Sequence, residues 1–233
     1  EANWVSTNAL REKGYTAKLA SPCPLCDIKV SMAATGIFKN YRRILNMETG
    51  EVIVSWHSGN CKFTRKLFVS RADDMLVYKI DSNQNNIEVD IYIQLHETYD
   101  KDTERKRKEV EDSIQIYVDN NYIYYAVKND DGWDFGAVMK VICEDGEFYT
   151  KDTHKISVRG ASSVTAYCYF FVNSSRDIEF KNLRKRLEEH NEKYESYLKR
   201  HIKLHRTLFT SVDINIAYDK LDMSNEELLL NSY

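Results

Sequence analysis

The sequence predicts a mainly β protein, an antiparallel β super-sandwich followed by a long C-terminal linker helix. Apolar and polar residues alternate from Asp27 to about Val172, the period-two signature of half-buried strands. Turn-forming clusters interrupt this alternation at His57-Ser58-Gly59-Asn60, Asp119-Asn120-Asn121, Asn129-Asp130-Asp131-Gly132, Glu144-Asp145-Gly146 and Arg159-Gly160, a spacing that suits a large antiparallel sandwich. After Asn173 the apolar residues recur at three and four instead, which is helical.

Glu1 to Lys18 is polar, with a weakly helical stretch around Ala9 to Lys13, and reads as a connector. Pro22 and Pro24 sit at the entry to the first strand, where a fixed φ and a missing N–H do least harm. From Tyr41 to Ile80 the chain reads as short strands, with Val52, Val54 and Trp56 on one face and Ile53 and Ser55 on the other. Val89, Ile91, Ile93 and Leu95 face inward if Asp90, Tyr92, Gln94 and His96 face out. Val164 to Val172 is apolar or aromatic at both parities, which predicts a central strand covered on both sides. The 16 tyrosines suit such sheets, with the ring buried and the hydroxyl at a polar rim. Leu183, Leu187, His190, Tyr194, Tyr197 or Leu198, His201, His205 and Leu208 mark one long helix, or two with a break, over Ile178 to Phe209. Val212 to Ile216 is strand-like, and MSNEELLLNSY opens a further helix with Ser224 or Asn225 as its cap. The expected division is therefore 1–173 for the sandwich and 174–233 for a helical linker.

Composition excludes several function classes. The chain has 233 residues, 42% of them hydrophobic and 30% charged, and a formal net charge of −3. That is a globular balance, with no electrostatic footprint for nucleic acid or for acidic membranes. No apolar run reaches the roughly 18 residues a membrane span needs. A signal peptide is not visible, and Glu1 in place of Met predicts an excised or processed piece. Lys101 to Asp112 mixes acids and bases without interleaved aromatics, which predicts a solvated loop or short helix. Between Lys181 and Arg206 nine Lys or Arg stand against four Glu; the expectation is an amphipathic helix packed on a neighbour, its bases in solvent. Five cysteines without a regular pattern argue against a disulfide framework and favour a reducing, cytoplasmic setting. Cys23-Pro-Leu-Cys26 lacks the second pair a zinc site needs, so it reads as buried structural cysteine.

Residues that carry chemistry are sparse. Glycoside hydrolysis needs two carboxylates about 5–10 Å apart across a pocket, whereas Asp73-Asp74 and Asp130-Asp131 are neighbours in turn-like sequence. His201 and His205 share a helix face, but Ile202 stands where a zincin has its Glu. No G-x-S-x-G, phosphate loop or dinucleotide fingerprint occurs. Trp56, Trp133 and tyrosine side chains are the candidate platforms for a sugar ring, although aromatic residues in a sandwich are more often core. The residues thus define a scaffold, with no catalytic, cofactor-binding or metal-binding set and no cofactor.

The segment Tyr41 to Ile80 also resembles, in order and spacing, the N-terminal β-domain of glycoside hydrolase family 95, the α-L-fucosidases and their α-galactosidase relatives. The matching residues are Tyr41, Arg42, Leu45, Thr49, Phe63, Arg65, Phe68, Ser70, Asp73 and Val77. Pro24-Leu25-Cys26-Asp27-Ile28 is similar to the family's strand entry, with Cys26 in place of a glycine. Tyr197-Leu198-Lys199-Arg200-His201 and Leu208-Phe209-Thr210-Ser211-Val212 are similar to its linker, although Leu204-His205 and Ser211 depart from it. The resemblance implies an N-terminal super-sandwich, a helical linker and an (α/α)6 barrel that carries the inverting hydrolysis. Family opening strands are lacking here, and the chain stops where the barrel would begin, so this segment is expected to be inactive by itself. Its implied partner is the missing barrel, with weak glycan binding and self-association through the exposed linker face as further expectations. Arg65 is expected to pair with a carboxylate such as Asp73, and Phe68 to fill the space between the sheets. A stand-alone carbohydrate-binding sandwich and an oligomerisation module are the competing readings.

Overall fold

The computed structural model describes residues 8–9, 12–13, 25–32, 36–96, 110–129, 132–149, 152–212 and 223–231. Two antiparallel sheets dominate it. The smaller has the order β1 (Asp27–Met32), β6 (Ile87–Gln94), β11 (Lys155–Ala161), β10 (Glu147–Phe148). The larger has the order β2 (Phe38–Asn46), β3 (Glu51–Ser58), β4 (Cys61–Ser70), β5 (Met75–Ser82), β12 (Ser163–Ser174), β9 (Asp134–Glu144), β8 (Tyr122–Lys128), β7 (Gln115–Asp119). Every pairing is antiparallel. Helices α1 (Arg176–Glu189) and α2 (Tyr194–Phe209) follow β12, and α3 (Asn225–Asn231) comes last.

Alternation on each strand separates two cores. Ile80, Val89, Ile91, Ile93, Ile123, Met139, Ile156, Val158, Val164 and Cys168 fill the space between the sheets. Phe68, Met75, Val77, Tyr124, Val138, Tyr167, Tyr169 and Phe171 point the other way, onto Phe180, Leu183, Leu187, Tyr194 and Tyr197 of α1 and α2. The protein is therefore three layers deep: small sheet, large sheet, helix pair. β12 lies between β5 and β9 and contributes to both cores, as its two-sided apolar sequence requires. Cover gives out at its end, where Phe170 and Val172 are exposed.

The helical region is two helices rather than one, broken at His190–Lys193. Strand β9 brackets the first of them. The Asp134 carboxylate accepts the Arg176 N–H at the start of α1 (3.0 Å), and the Lys140 ammonium donates to the Leu187 and His190 carbonyls at its end (2.8 and 3.0 Å). Six strand residues span ~20 Å and so do about thirteen helical ones. The two charges consequently meet the two ends of the helix with the signs its macrodipole favours. At α3, Ser224 is the N-cap: its hydroxyl accepts the Glu227 N–H (3.2 Å) while Glu227 accepts the Ser224 N–H (2.8 Å), a reciprocal capping box.

Two expectations change. Phe68 lies under the helices, stacked on His201 (5.2 Å) and edge-on to Tyr194 (5.2 Å), rather than between the sheets. Arg65 lies over the Trp56 ring (5.1 Å), while Asp73 pairs with Arg200 (3.0 Å). Residues 65 and 68 have opposite parity on β4, so one strand serves both cores. The helix bases are mostly in solvent, as expected: Lys181, Lys185, Arg186, Lys193, Lys199, Lys203 and Arg206 are exposed, while Arg184 and Arg200 are half-buried and pair with Asp119 and Asp73. Expectations for Glu1 to Lys18, Cys23, the two prolines, Asp130-Asp131, most of Lys101 to Asp112 and most of Val212 to Ile216 fall largely or wholly outside the described residues.

Gly136 sets the tightest packing in the large sheet. A Cβ there would lie 2.1 Å from the Tyr125 carbonyl oxygen and 2.8 Å from Cε1 of Phe171. Gly136→Ala is expected to lower unfolding free energy by about 3 kcal/mol, read as a reduced urea midpoint at constant m-value. An unchanged midpoint would contradict this packing.

Candidate functional site

The densest polar arrangement lies where α2 meets the large sheet. Tyr194 enters first, its phenol donating to the Glu51 carboxylate (2.9 Å), which is only 8% exposed. One turn on, Tyr197 packs against Tyr167 (5.3 Å) and its hydroxyl meets Nδ1 of His190 (2.8 Å), whose Nε2 meets Tyr169 (2.6 Å). Tyr167 donates to the Glu192 carbonyl (3.1 Å), satisfying the backbone at the break between the helices. Arg200 bridges Asp73 of the β4–β5 turn and Glu192 of that break (3.0 and 2.8 Å).

His201 and His205 complete the contact. His201 is 3% exposed, and its Nδ1 accepts the Arg71 N–H (3.2 Å), leaving the proton on Nε2. Nε2 faces the Thr49 backbone without meeting hydrogen-bond geometry. His205 donates from Nε2 to the Met47 carbonyl (2.9 Å). Both rings close over Gly50, whose φ is +65° and where a Cβ would lie 2.9 Å from His201 Nε2. The glycine thus serves the turn and the close approach together. A metal would need the lone pair that Nε2 has given up to its proton, and no metal-ligating cluster occurs among the described residues. The pair packs a helix, as its sequence context suggests.

Burial first, and the neighbouring cations as well, hold both His190 and His201 below the ordinary imidazole value. Asp73 opposes this at both, against Arg186, Lys140 and Arg200 at His190 and against His205 and Arg71 at His201.

A second feature is an open bowl of ~570 Å³ at the head of α1, lined by Asp112, Ser113, Lys128, Trp133, Asp134 and Asp177 among others. Asp134 is its one buried carboxylate; the Arg176 guanidinium (2.6 Å) holds it below the usual carboxylate range. It stays ionised and has no proton to give to a leaving group. Asp73 and Asp74 occupy the β4–β5 turn, Asp73 engaged by Arg200 and Ser70 and Asp74 at φ 54°. Asp73 and Asp74 thus form no facing acid and base, and Asp130-Asp131 lies outside the described residues. Of the two tryptophans among the candidate sugar platforms, Trp56 is stacked on Phe63 (5.3 Å) and buried, whereas Trp133 is 54% exposed. The buried tyrosine–histidine network escaped the sequence reading; its only signal was the helical spacing of His190, Tyr194, Tyr197 and His201.

Described cysteines are free thiols. Burial pushes Cys26 up to about 12 and Cys168 well above the ordinary thiol value, so neither forms a nucleophilic thiolate near neutral pH.

Two packed antiparallel sheets with a helix pair on the outer face of the larger define a three-layered β super-sandwich domain. The chain belongs to the glycosyl hydrolase family 65 N-terminal domain family, whose sequence model matches residues 2–173. The match supports the glycoside hydrolase N-terminal domain that the resemblance implied, without reaching family 95 itself; Tyr41, Arg42, Leu45, Phe63, Phe68 and Val77 fall on β2, β4 and β5, where strand and core positions report architecture. By structure the chain is similar to a protein described as a kojibiose phosphorylase from human microbiome, with TM-score 0.52 and 12% identity over 80% of this chain and 28% of that one. It also aligns with a bacterial glucoamylase complexed with acarbose, with TM-score 0.44 and 11% identity over 79% of this chain and 28% of that one. No curated protein matches it in sequence. The chain thus spans 28% of the length of each of these two proteins.

The neutral histidines set the pH response. Unfolded, each takes a proton near pH 6.5; folded, each takes it lower. Their contribution to stability is complete above about pH 6.5 and is lost as pH falls from there toward the folded values. Urea midpoints are expected to drop between about pH 6.5 and 5, and to drop less in His190→Gln or His201→Gln. Asp134 adds a separate loss below its ordinary value of 3.8. A flat profile from pH 8 to 5, or the same slope in both variants, would refute this assignment.

Proposed function

We propose that this chain is the non-catalytic N-terminal scaffold domain and linker of a glycoside hydrolase, and that its partner is an (α/α)6 catalytic barrel of the same polypeptide. The observation that carries this reading is the family match over residues 2–173. The face offered to the barrel is the far half of α2 with the turn after β2. Leu204, Leu208 and Phe209 are exposed on the helix, Val212 just beyond its end and Met47 in the turn. His205 and Arg206 tie the two together through Met47 and Glu48. A patch of this extent on a domain surface suits an interface better than solvent.

Division at 1–173 and 174–233 belongs to this proposal, with one amendment to its physical meaning. α1 and α2 cover half of the large sheet, so the linker is built into the domain. The α-L-fucosidase specificity suggested by the family 95 likeness has no support in the family found. The structurally similar protein described as a kojibiose phosphorylase directs attention to glucosides instead. A carbohydrate-binding role is the second reading, favoured by the exposed Trp133.

Assayed with aryl α-D-glucosides, α-L-fucosides and α-D-galactosides, with and without phosphate, the chain is expected to show no turnover. Hydrolysis or phosphorolysis above background that is lost with a single carboxylate substitution would overturn the scaffold assignment. Light scattering is expected to show concentration-dependent self-association, weakened in a Leu208→Glu, Phe209→Glu variant. A monomer at all concentrations would count against the proposed docking face.

A further inference from the structure

We infer that the bowl at the head of α1 binds a neutral hexopyranose unit, with Trp133 as the stacking platform and the surrounding polar side chains as hydroxyl partners. The inference rests on the carbohydrate-active reading above and gives it a location. Trp133 lies in the loop joining β8 to β9, and its carbonyl accepts the Asn129 N–H (2.8 Å), which closes that loop. Gly132, beside it, has φ +86° and a Cβ there would meet nothing within 4 Å. The indole lines the bowl and is 54% exposed. A flat apolar ring of this kind matches the C–H face of a pyranose, which is apolar while its rim is polar.

The rest of the lining supplies what a sugar rim requires. Asp112, Asp177 and Lys128 are exposed at the bowl, and Ser113, Ser174 and Ser175 are partly so. Carboxylates accept from vicinal hydroxyls, an ammonium donates, and a serine hydroxyl does either. Both charge signs are present, so the lining suits a neutral, many-hydroxyl ligand better than an anion. The α1 N-terminus gives no anion site in any case, since Asp134 already takes the Arg176 N–H. A volume of ~570 Å³ falls in the range of small-molecule sites.

The floor is preorganised. Arg176 is held by Asp134 (2.6 Å) and by the Ser113 carbonyl (3.0 Å), and the Ser113 hydroxyl accepts the Lys128 N–H (2.9 Å). One clamp thus locks β8, β9, α1 and the loop before β7 before any ligand arrives, which limits the ordering a sugar would have to impose. The bowl also lies across the sheet from the docking face: the order places β8 and β9 near the β7 edge, and β2 at the other. A glycan seated at Trp133 therefore leaves the docking face free.

The test follows the Trp133 indole N–H resonance in ¹H–¹⁵N spectra of the whole chain, assigned by its loss in Trp133→Phe. Methyl α-D-glucoside, methyl α-L-fucoside, methyl α-D-galactoside and maltotriose are the probes. The expected result is a saturable shift with at least one of them at low-millimolar Kd, reduced at least fivefold in Trp133→Ala and in Asp177→Asn. Unchanged dispersion elsewhere in the variants' spectra shows that they fold. No saturable shift with any probe, or binding undiminished in Trp133→Ala, would overturn the site. Neither outcome bears on the scaffold reading, which the turnover assay addresses separately.

Discussion

The large sheet is apolar on both faces, and this constraint organises the molecule. A sheet of that kind needs two covers. The small sheet supplies one through Val89, Ile91, Ile93, Ile156 and Val158. The other must come from the chain after β12, which is why α1 and α2 fold back at once instead of running outward. Phe180, Leu183, Leu187, Tyr194 and Tyr197 give the apolar cover, and burial of side chains this size is worth roughly 1.5–3 kcal/mol each. Asp134 and Lys140 on β9 then fix the first helix at its two ends, so one strand sets both the position and the polarity of α1.

The tyrosines explain how such a cover can carry polar atoms. Tyr167, Tyr169, Tyr194 and Tyr197 each bury a ring, and every hydroxyl finds a partner in Glu192, His190 or Glu51. Leaving such groups unmade would cost about 1–3 kcal/mol apiece. The network also fixes the break between the helices, because His190 and Glu192 belong to it. Neutral histidine suits this place: burial disfavours the charge, and an uncharged ring can take one hydrogen bond and give another.

Alternation in the sequence reveals which residues share a face, and that much of the fold was legible. Val89, Ile91, Ile93 and Leu95 face inward as their period requires, and β12 is central because both its parities are apolar. Period two does not reveal which layer a face will meet. Phe68 and Arg65 exchanged their expected surroundings for that reason: the layer over Phe68 comes from residues 130 or so positions later. The sequence allowed a break in the helix but not its place at His190, since the apolar spacing runs through it and hydrogen bonds that stabilise it come from the sheet. Trp56 and Trp133 look alike in sequence; only the pairing of β3 with β4, which stacks Trp56 on Phe63, separates a core residue from a surface one. Turn and strand residues likewise carried the architecture of a glycoside hydrolase N-terminal domain, while the particular family needed a match along 2–173.

Amide hydrogen exchange under native conditions tests most directly whether the helices are an integral cover of the sheet. The account predicts that amides of Leu183, Leu187, Leu198 and His201 exchange only through the same cooperative opening as Val164 to Tyr169 on β12, with matching denaturant dependence. Rapid, denaturant-independent exchange across α1 and α2 beside a fully protected β12 would contradict it, because a sheet that keeps its protection without them does not depend on that second cover.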